Sequence, residues 1–400
     1  MKFDNQLRYA TTILTSYQGG TPLHTWLKDF FRQHKQMGSR DRKTVSNMVY
    51  AFYRLGHSVR GLPIDQRIFL GLFLVHDQPG ELLEYFRPEW HPHAGKTLEE
   101  KIDLIRNKGI DFTPAEIFPW KDELSEEIDH HAFCLSFLRQ PDLFLRIRPG
   151  YEQQVVQRLS RPTDPVASAA IPGHEFIPPF TLRLPNGTKV ETLFTPDKEV
   201  VIQDYSSQRI AGFLQSSASP VVFWDACAAS GGKSILAHDM MPGIIITVSD
   251  IRESILRNLQ QRFRQAGITK FYSFIADLTR KDTVLSSDTL PYNLVLADVP
   301  CTGSGTWSRT PEELFFFNPG KILTYSAAQR AIVGNIVPRL APGADFVYTT
   351  CSVFKKENEA ISGLLREKFG LRQEQAGAIK GYDQKADTMF AARFSKIQDS

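Results

Sequence analysis

The sequence predicts an α/β protein whose C-terminal half forms a doubly wound, mostly parallel sheet. From about residue 201, short apolar runs alternate with helical segments, which is the pattern of consecutive strand–helix units. Residues 1–135 show helical periodicity without intervening strands, and residues 136–200 mix short strands with a helix. We therefore predict three domains: an all-helical domain over 1–135, a small α+β subdomain over 136–200 and the sheet domain over 201–400.

The composition is that of an ordinary globular chain. Its 400 residues are 42% apolar, which excludes a fully disordered or collagen-like protein. No apolar run approaches the ~20 residues that a membrane-spanning helix needs, and residues 1–9 lack the apolar core of a secretory signal. Four cysteines without CxxC spacing predict neither a disulfide framework nor a zinc site. We expect a cytoplasmic monomer with reduced thiols and no membrane or metal partner.

The charge is distributed unevenly along the chain. The net charge is +3 overall, but residues 1–60 hold ten basic and three acidic residues, a net charge of +7. Residues 61–135 hold seven basic and fifteen acidic residues, a net charge of −8. Such asymmetry is compatible with one face that meets a polyanion, although charged runs are also simply solvated surface.

Each domain is predicted from its own periodicity. The helices of the first domain are 6–17, 23–33, 39–55, 64–75, 80–85, 97–108, 113–117 and 121–136. The subdomain has a strand over 143–148, a helix over 151–159 and a small hairpin, 180–184 with 188–194, around the turn Pro185-Asn186-Gly187. The sheet domain has strands over 221–224, 244–248, 271–275, 294–297 and 346–349, and helices over 234–240, 253–266 and 326–340.

A Gly-rich turn follows the first strand of the sheet domain, in the run DACAASGGKS from Asp225 to Ser234. A strand, a turn of small residues and a helix form a frequent small-ligand site, because the helix N-terminus is electropositive. A P-loop would need glycine at position 227, which is Cys227, and the GxGxxG pattern is absent. On its own the turn could equally be structural.

Acidic residues at three following strand ends favour a ligand site. These are Asp250, Asp277 and Asp298, and Asp250 lies 18 residues after Gly232. That spacing is close to the ~20 residues typical of a carboxylate that holds a ribose diol. Because ligands of open parallel sheets bind at the carboxyl ends of the strands, the pattern predicts a nucleoside-bearing cofactor.

Two cysteines complete the pattern at the ends of the fourth and fifth strands, in DVPCTGSGT (Cys301) and TTCS (Cys351). A lone cysteine in a sheet protein is more often a small buried hydrophobe than a nucleophile. Here both thiols are expected to face the same pocket, and a thiol with a pKa of ~8.5 supplies a usable thiolate near neutral pH. Spacing alone does not decide which of the two is the nucleophile.

These motifs resemble those of the RNA cytosine-carbon-5 methyltransferases. The three runs resemble the family's DxCAAPGGKT, Asp-x-Pro-Cys and Thr-Cys-Ser motifs, and Gln203–Gln208 and Asp387–Arg393 resemble its QDxSSQ and closing-strand segments. Met37–Leu55 is similar to the NusB-like domain of the RsmB/Sun branch, which methylates small-subunit ribosomal RNA. Ser230 stands where the family usually has proline, and Thr388 replaces a glycine. The resemblance implies a Rossmann-like class I methyltransferase domain with a seven-stranded sheet and S-adenosylmethionine as cofactor.

The resemblance also implies roles for individual residues. The implied cofactor-binding residues are Cys227, Ala228, Ala229, Ser230, Gly231, Gly232, Lys233, Asp250, Asp277 and Asp298. Cys351 would attack carbon 6 of cytosine, Asp298 would stabilise the adduct, and Cys301 would assist its breakdown. The rival assignment exchanges the two cysteines, as in the DNA cytosine methyltransferases.

RNA is the implied partner, and a target base in a loop or single strand enters such a pocket at lower cost. The implied RNA-binding residues are Arg146, Arg148 and Arg309, with Arg40, Arg42 and Lys43 as a further basic cluster. Two alternatives stay open. One is a non-catalytic RNA-binding ribosome-assembly factor on the same fold, and the other is a methyltransferase that modifies adenine amino groups.

Overall fold

The computed structural model describes residues 2–78, 80–160, 173–281 and 292–397. Contacts divide the chain into two compact units. The helical unit comprises 1–124, 129–140 and 306–318, and the sheet unit comprises 125–128, 141–305 and 319–400. Residues 306–318, which follow the Cys301 loop, therefore pack with the helices and not with the sheet.

The secondary-structure elements of the described residues are as follows. The α-helices are α1 (Phe3–Ser16), α2 (Leu23–Gln33), α3 (Ser39–Arg54), α4 (Ile64–Val75), α5 (Glu81–Phe86), α6 (Leu98–Asn107), α7 (His130–Ser136), α8 (Glu152–Ser160), α9 (Tyr205–Arg209), α10 (Gly232–Met240), α11 (Glu253–Gln265), α12 (Pro311–Phe315), α13 (Gly320–Ile336) and α14 (Glu359–Glu367). The strands are β1 (Leu143–Ile147), β2 (Glu175–Ile177), β3 (Thr181–Leu184), β4 (Val200–Ile202), β5 (Val222–Asp225), β6 (Ile245–Asp250), β7 (Phe271–Ile275), β8 (Tyr292–Asp298), β9 (Leu340–Thr350), β10 (Arg372–Ile379) and β11 (Met389–Ser395).

The helical unit is built from α1–α7 and α12, with no strand among its described residues. The amphipathic stripe of α3 buries Val45, Val49 and Phe52, as its periodicity predicts. The predicted helix over 121–136 is wrong in its first half, because only residues from His130 onward are α-helical. Residues 125–128 belong instead to the sheet unit, where the Ser125 N–H donates to the Val353 carbonyl at 2.9 Å.

A small four-stranded antiparallel sheet, in the order β2-β3-β1-β4, precedes the large sheet. The predicted hairpin arm over 188–194 is wrong, because β3 pairs with β1 and β2, and the arm contains a 3₁₀ turn at Val190–Thr192. Val190 and Phe194 are both buried, four residues apart on one face of that turn. A helical spacing of apolar residues here outweighs the turn signal of Pro185-Asn186-Gly187.

The large sheet has the strand order β10-β11-β9-β8-β5-β6-β7 among the described residues. Strands β5 to β9 are parallel, and β11 and β10 pair antiparallel beside β9. Because the order reverses on the two sides of β5, a crevice opens beyond the carboxyl ends of β5, β6 and β8. Both faces of the sheet carry a buried apolar core, one around Trp224 and Phe346 and the other around Phe223 and Leu259. The predicted strand–helix alternation is confirmed.

Within the described ranges no helix combines the length and the apolar character needed to cross a bilayer.

Candidate active site

A cavity of about 470 Å³ lies at the carboxyl ends of the parallel strands, within the sheet unit. Its lining brings together seven of the predicted site residues: Cys227, Ala229, Asp250, Asp277, Asp298, Cys301 and Cys351. The remaining lining residues are Ala226, Ile251, Arg252, Ala276, Leu278, Thr279, Val299, Pro300, Tyr325 and Ile332. The predicted convergence of the strand ends on one pocket is therefore confirmed.

The Gly-rich loop forms one wall of this cavity. Gly231 has a φ of +80° and begins α10, and its φ alone favours glycine. A Cβ at this position would also lie 2.8 Å from side-chain atoms of Leu259 and Phe263 on α11. Ala228, Ser230, Gly231 and Gly232 shape the loop without lining the cavity. Burial raises the pKa of the Cys227 thiol well above its usual range, so this cysteine stays protonated.

Two carboxylates project from the strand ends opposite the loop. The Asp250 carboxylate accepts the Ala229 N–H at 3.1 Å and the Arg252 N–H at 2.9 Å, so it fixes the loop to the end of β6. Arg252 adds an ion pair to Asp250 at 3.1 Å. The Asp277 carboxylate accepts the N–H and the hydroxyl of Thr279, at 3.0 and 2.6 Å. Both carboxylates are thereby held in defined orientations at the cavity wall.

Lys233 and Asp298 form an ion pair of 2.6 Å between the Nζ and Oδ2 atoms. Burial disfavours the charged form of Lys233, but Asp298 outweighs it, and the pKa of Lys233 is raised. The Cys351 sulfur is a further negative neighbour that raises the pKa of Lys233. Lys233 therefore carries a full positive charge beside both Asp298 and Cys351.

The two predicted catalytic thiols lie side by side, with 3.2 Å between the Cys301 and Cys351 sulfurs. The hydrogen bond to Cys351, together with burial, raises the pKa of Cys301 well above its usual range. Cys301 therefore favours its protonated form, and either sulfur can be the donor in this contact.

A buried glutamate that sequence reasoning missed ties the two cysteine loops together. The Glu357 carboxylate accepts four hydrogen bonds: from the Thr302 N–H (2.9 Å), the Thr302 hydroxyl (2.6 Å), the Ser352 hydroxyl (2.7 Å) and the Gln329 amide (3.0 Å). Thr302 follows Cys301 and Ser352 follows Cys351, so the Glu357 side chain holds the two cysteine loops together. Its place in Lys355-Lys356-Glu357-Asn358-Glu359 looks like solvated charge, which is why no sequence signal marks it.

Asp225 is a second buried acid of the site. Its Oδ2 accepts the Ser234 hydroxyl at 2.6 Å, and its Oδ1 has no hydrogen-bond partner in the described parts of the chain. Burial raises the pKa of Asp225 to about 7. The carboxyl does not line the cavity, and its contact with Ser234 fixes the first turn of α10.

The predicted RNA-binding roles of Arg146 and Arg148 are contradicted by their burial. Arg146 is only 2% exposed, and both guanidinium groups bind the Asp239 carboxylate at 2.6 Å. Their alternation along β1 points them into the sheet unit, where a phosphate cannot reach them. Arg309 lies half-buried in the 306–318 segment of the helical unit, and its RNA-binding role stays a prediction.

Residues 213–394 match the family model described as 16S rRNA methyltransferase RsmB/F. Residues 213–394 of the chain are therefore similar to the RsmB/F methyltransferases. The RsmB/F match contains every residue that lines the cavity, from Ala226 to Cys351.

Curated relatives carry the same family name. The probable ribosomal RNA small subunit methyltransferase B of Synechocystis sp. is 31% identical over 309 residues, 74% of this chain and 65% of that protein. The ribosomal RNA small subunit methyltransferase B of Xanthomonas campestris is 29% identical over 185 residues, 46% of this chain and 42% of that protein. The matches thus span less than two thirds of these relatives' length.

Solved structures agree on the fold. The crystal structure of the protein PH0851 has a TM-score of 0.61 at 17% identity, over 94% of this chain and 95% of that one. A methyltransferase homologue from Pyrococcus horikoshii has a TM-score of 0.54 at 19% identity, over 69% of this chain and 92% of that one. At such identities the likeness is one of fold, and the sheet unit has a Rossmann-like methyltransferase fold.

Proposed function

We propose that this chain methylates carbon 5 of a cytosine in small-subunit ribosomal RNA, with S-adenosylmethionine as donor. The observation that carries the proposal is the pair of thiols 3.2 Å apart in the same cavity as Asp250, Asp277 and Asp298. Modification of an adenine amino group would need no such pair. A non-catalytic assembly factor would have no use for the two adjacent thiols.

The cavity fits the donor in size and chemistry. Its volume of about 470 Å³ lies within the ~300–1,000 Å³ of typical cofactor sites. Asp250 and Asp277 offer carboxylate oxygens that suit ribose hydroxyls and an adenine amino group. Small residues of the loop, such as Ala229, leave room beside the helix N-terminus. When bound, S-adenosylmethionine supplies an electrophilic methyl group.

The Cys351 thiolate begins the proposed reaction. Its sulfur forms a bond to carbon 6 of cytosine, and the electron pair of the ring's 5,6 double bond shifts toward the ring nitrogen, which takes up a proton. We assign delivery of that proton to the Lys233–Asp298 pair, whose Nζ and Oδ2 atoms lie 2.6 Å apart. Carbon 5 thereby becomes the nucleophile.

Product release reverses the covalent bond. Once carbon 5 is methylated, it loses its proton to solvent, and the ring nitrogen gives back the proton that it took up. The bond between carbon 6 and the Cys351 sulfur breaks, and its electron pair regenerates the thiolate. The protonated Cys301 lies 3.2 Å from that sulfur and stabilises it as negative charge returns. We assign Cys301 to this release step. A reduced pair is required throughout, which suits a cytoplasmic enzyme.

RNA docking falls to surfaces other than β1. We assign it to the NusB-like helical domain over 1–135, where a groove of about 510 Å³ lies between α2 and α3. The groove is lined by two rows at four-residue spacing, His24, Lys28 and Arg32 on α2 and Arg42, Ser46 and Tyr50 on α3, above Leu27 and Phe31. No acidic residue lines this groove, and its charge complements a phosphate backbone.

The test is a methyl-transfer assay with labelled S-adenosylmethionine and unmodified 16S rRNA, followed by nucleoside analysis. We expect label in 5-methylcytosine from the native chain and from Cys134→Ala, a matched control at a buried cysteine of the helical unit. Cys351→Ala should abolish transfer. Cys301→Ala should accumulate a protein–RNA adduct that survives a denaturing gel.

Two outcomes would contradict the proposal. Retained transfer in Cys351→Ala with loss in Cys301→Ala would exchange the roles of the two thiols. RNA binding without any donor binding would favour the non-catalytic assembly factor.

A further inference from the structure

An arginine of α11 holds the turn of the Gly-rich loop at Ser230. The Nη1 atom of Arg262 donates to the Ser230 carbonyl at 2.9 Å and to its hydroxyl at 3.0 Å. The Nε and Nη2 atoms donate to the two carboxylate oxygens of Asp197, at 2.9 and 2.7 Å. One guanidinium thus bridges a loop residue and a fixed carboxylate, a geometry that a lysine cannot reproduce.

Hydrogen bonds of its backbone N–H and carbonyl hold Asp197 in place. It is 6% exposed and has a φ of +61°, a conformation that non-glycine residues rarely adopt. Its N–H donates to the Val200 carbonyl at 2.7 Å, and its carbonyl accepts from the Arg148 Nη1 at 2.9 Å. Arg148 is fixed in turn by Asp239. The carboxylate that receives Arg262 therefore belongs to a rigid part of the sheet unit.

Ser230 lies between the two residues of the loop with left-handed backbone. Ala229 has a φ of +46°, lines the cavity and donates its N–H to Asp250, and Gly231 has a φ of +80°. Ser230 does not line the cavity, so the bridge acts on the donor site only through the loop path. At this position the resembled family usually carries proline, whose ring fixes φ covalently.

We propose that Asp197, Arg262 and Ser230 form a positioning clamp that replaces the proline constraint and sets the affinity of the loop for S-adenosylmethionine. The proposal rests on the proposed use of that donor. The clamp holds the turn by hydrogen bonds where proline would hold it by a ring. The Ser230 N–H donates no hydrogen bond within the described chain, so proline at this position removes none.

The test compares the effect of losing Arg262 in two backgrounds. The full chain and its variants are titrated calorimetrically with S-adenosylhomocysteine, a probe that carries no transferable methyl group. Arg262→Met, which keeps the aliphatic stem, should weaken binding about tenfold. Ser230→Pro is the second background, and its own affinity is the reference for the double variant. In the double variant, Arg262→Met should cost less than threefold, because proline already fixes the turn.

Controls separate the clamp from general stability. Arg257 lies on the same helix as Arg262 and, among the described contacts, forms an ion pair only with the exposed Glu253. The variant Arg257→Met should therefore bind S-adenosylhomocysteine like the native chain. Arg262→Lys keeps a charge for Asp197 with fewer donors and should fall between the native chain and Arg262→Met. Melting temperatures of all variants are recorded beside the affinities.

Three outcomes would overturn the clamp. They are native affinity in Arg262→Met, an equal loss in the serine and proline backgrounds, or a loss that follows melting temperature across all variants including Arg257→Met. If the native chain itself fails to bind S-adenosylhomocysteine, the proposed function falls first, and the clamp falls with it.

Discussion

At the scale of single residues, the site is built from side chains held in pairs. Cys301 lies beside Cys351, and Lys233 lies beside Asp298. Glu357 fixes the first pair through the residues that follow each cysteine. These pairs lie at strand ends, which is why the motifs predicted Cys301, Cys351 and the aspartates correctly as neighbours. The motifs carry no information on Glu357, whose role exists only once two distant loops meet.

Glu357→Gln tests this positioning role. Glutamine replaces one acceptor oxygen by an NH₂ group, which then faces donors that the carboxylate had satisfied. We expect a loss of about 1–3 kcal/mol in the free energy of unfolding and a lower kcat with little change in donor affinity. Glu359→Gln is the matched control, because Glu359 lies in the same segment and its carboxylate accepts from the Ser125 hydroxyl at 3.0 Å instead of from the cysteine loops. Equal kcat values in the two variants would contradict the role.

Asp225→Asn tests the buried acid at the end of β5. The folded-state pKa of Asp225, about 7, is above its ordinary value of 3.8, so its stabilising contribution is complete below about pH 4 and is lost as the pH rises through about 7. Relative to the asparagine variant, the native chain should lose on the order of 4 kcal/mol of unfolding free energy over that interval. Urea unfolding at pH 4, 5, 6 and 7 measures this difference. Parallel stability curves would contradict it.

At the scale of elements, strand–helix alternation predicted the sheet well because β5, β6, β8 and β9 are largely buried and read as short apolar runs. The errors fall where tertiary contacts decide. The helix over 121–136 is interrupted because Ser125 bonds to Val353. The alternating pattern around Arg146 and Arg148 correctly predicted the strand β1. It did not show which face of the sheet the two arginines occupy. Their ion pairs with Asp239 on α10 determine that face.

The α2–α3 groove makes a prediction at this scale. The double variant Lys28→Glu/Arg42→Glu should weaken binding of a 16S rRNA transcript and flatten its dependence on salt, because two phosphate contacts are lost. Lys108→Glu, an exposed residue of the same unit outside the groove, is the control for net charge. Fluorescence anisotropy without methyl donor measures both. If Lys108→Glu weakened RNA binding as much per introduced charge as the double variant does, the groove would not be the RNA-binding surface.

At the scale of the whole molecule, the helical unit is completed by a distant part of the chain. Trp307, Leu314 and Phe317 are buried in it, and Arg54 donates to the Ser308 carbonyl at 3.0 Å. The three-domain division by sequence order assigned residues 306–318 to the sheet domain. Composition along a chain does not reveal that a late segment packs into an earlier unit. The aromatic run Phe315–Phe317 packs within the same unit, where Phe315 contacts Phe52 and Phe317 contacts Trp120.

Trp307→Ala in the full chain tests whether residues 306–318 complete the core of the helical unit. Removing a buried indole that contacts Phe118, Trp120 and Phe317 should cost about 3–5 kcal/mol in the helical unit. Hydrogen exchange followed by mass spectrometry should show faster exchange in α3 and α7, with the strands β5 and β8 unchanged. Tyr272→Ala removes an exposed aromatic ring and should change neither. Faster exchange throughout the strands would contradict the assignment.

The late position of residues 306–318 has a consequence for synthesis on the ribosome. Residues 1–140 emerge first, but the side chains that fill their core follow only after some 165 further residues. At ~5–20 residues per second, that delay lasts roughly 8–33 s. Throughout it the nascent helices expose the surface that Trp307 and Leu314 later cover, so the helical unit cannot finish folding before residue 318 has been synthesised. A chaperone that binds apolar surface has its opportunity in that interval.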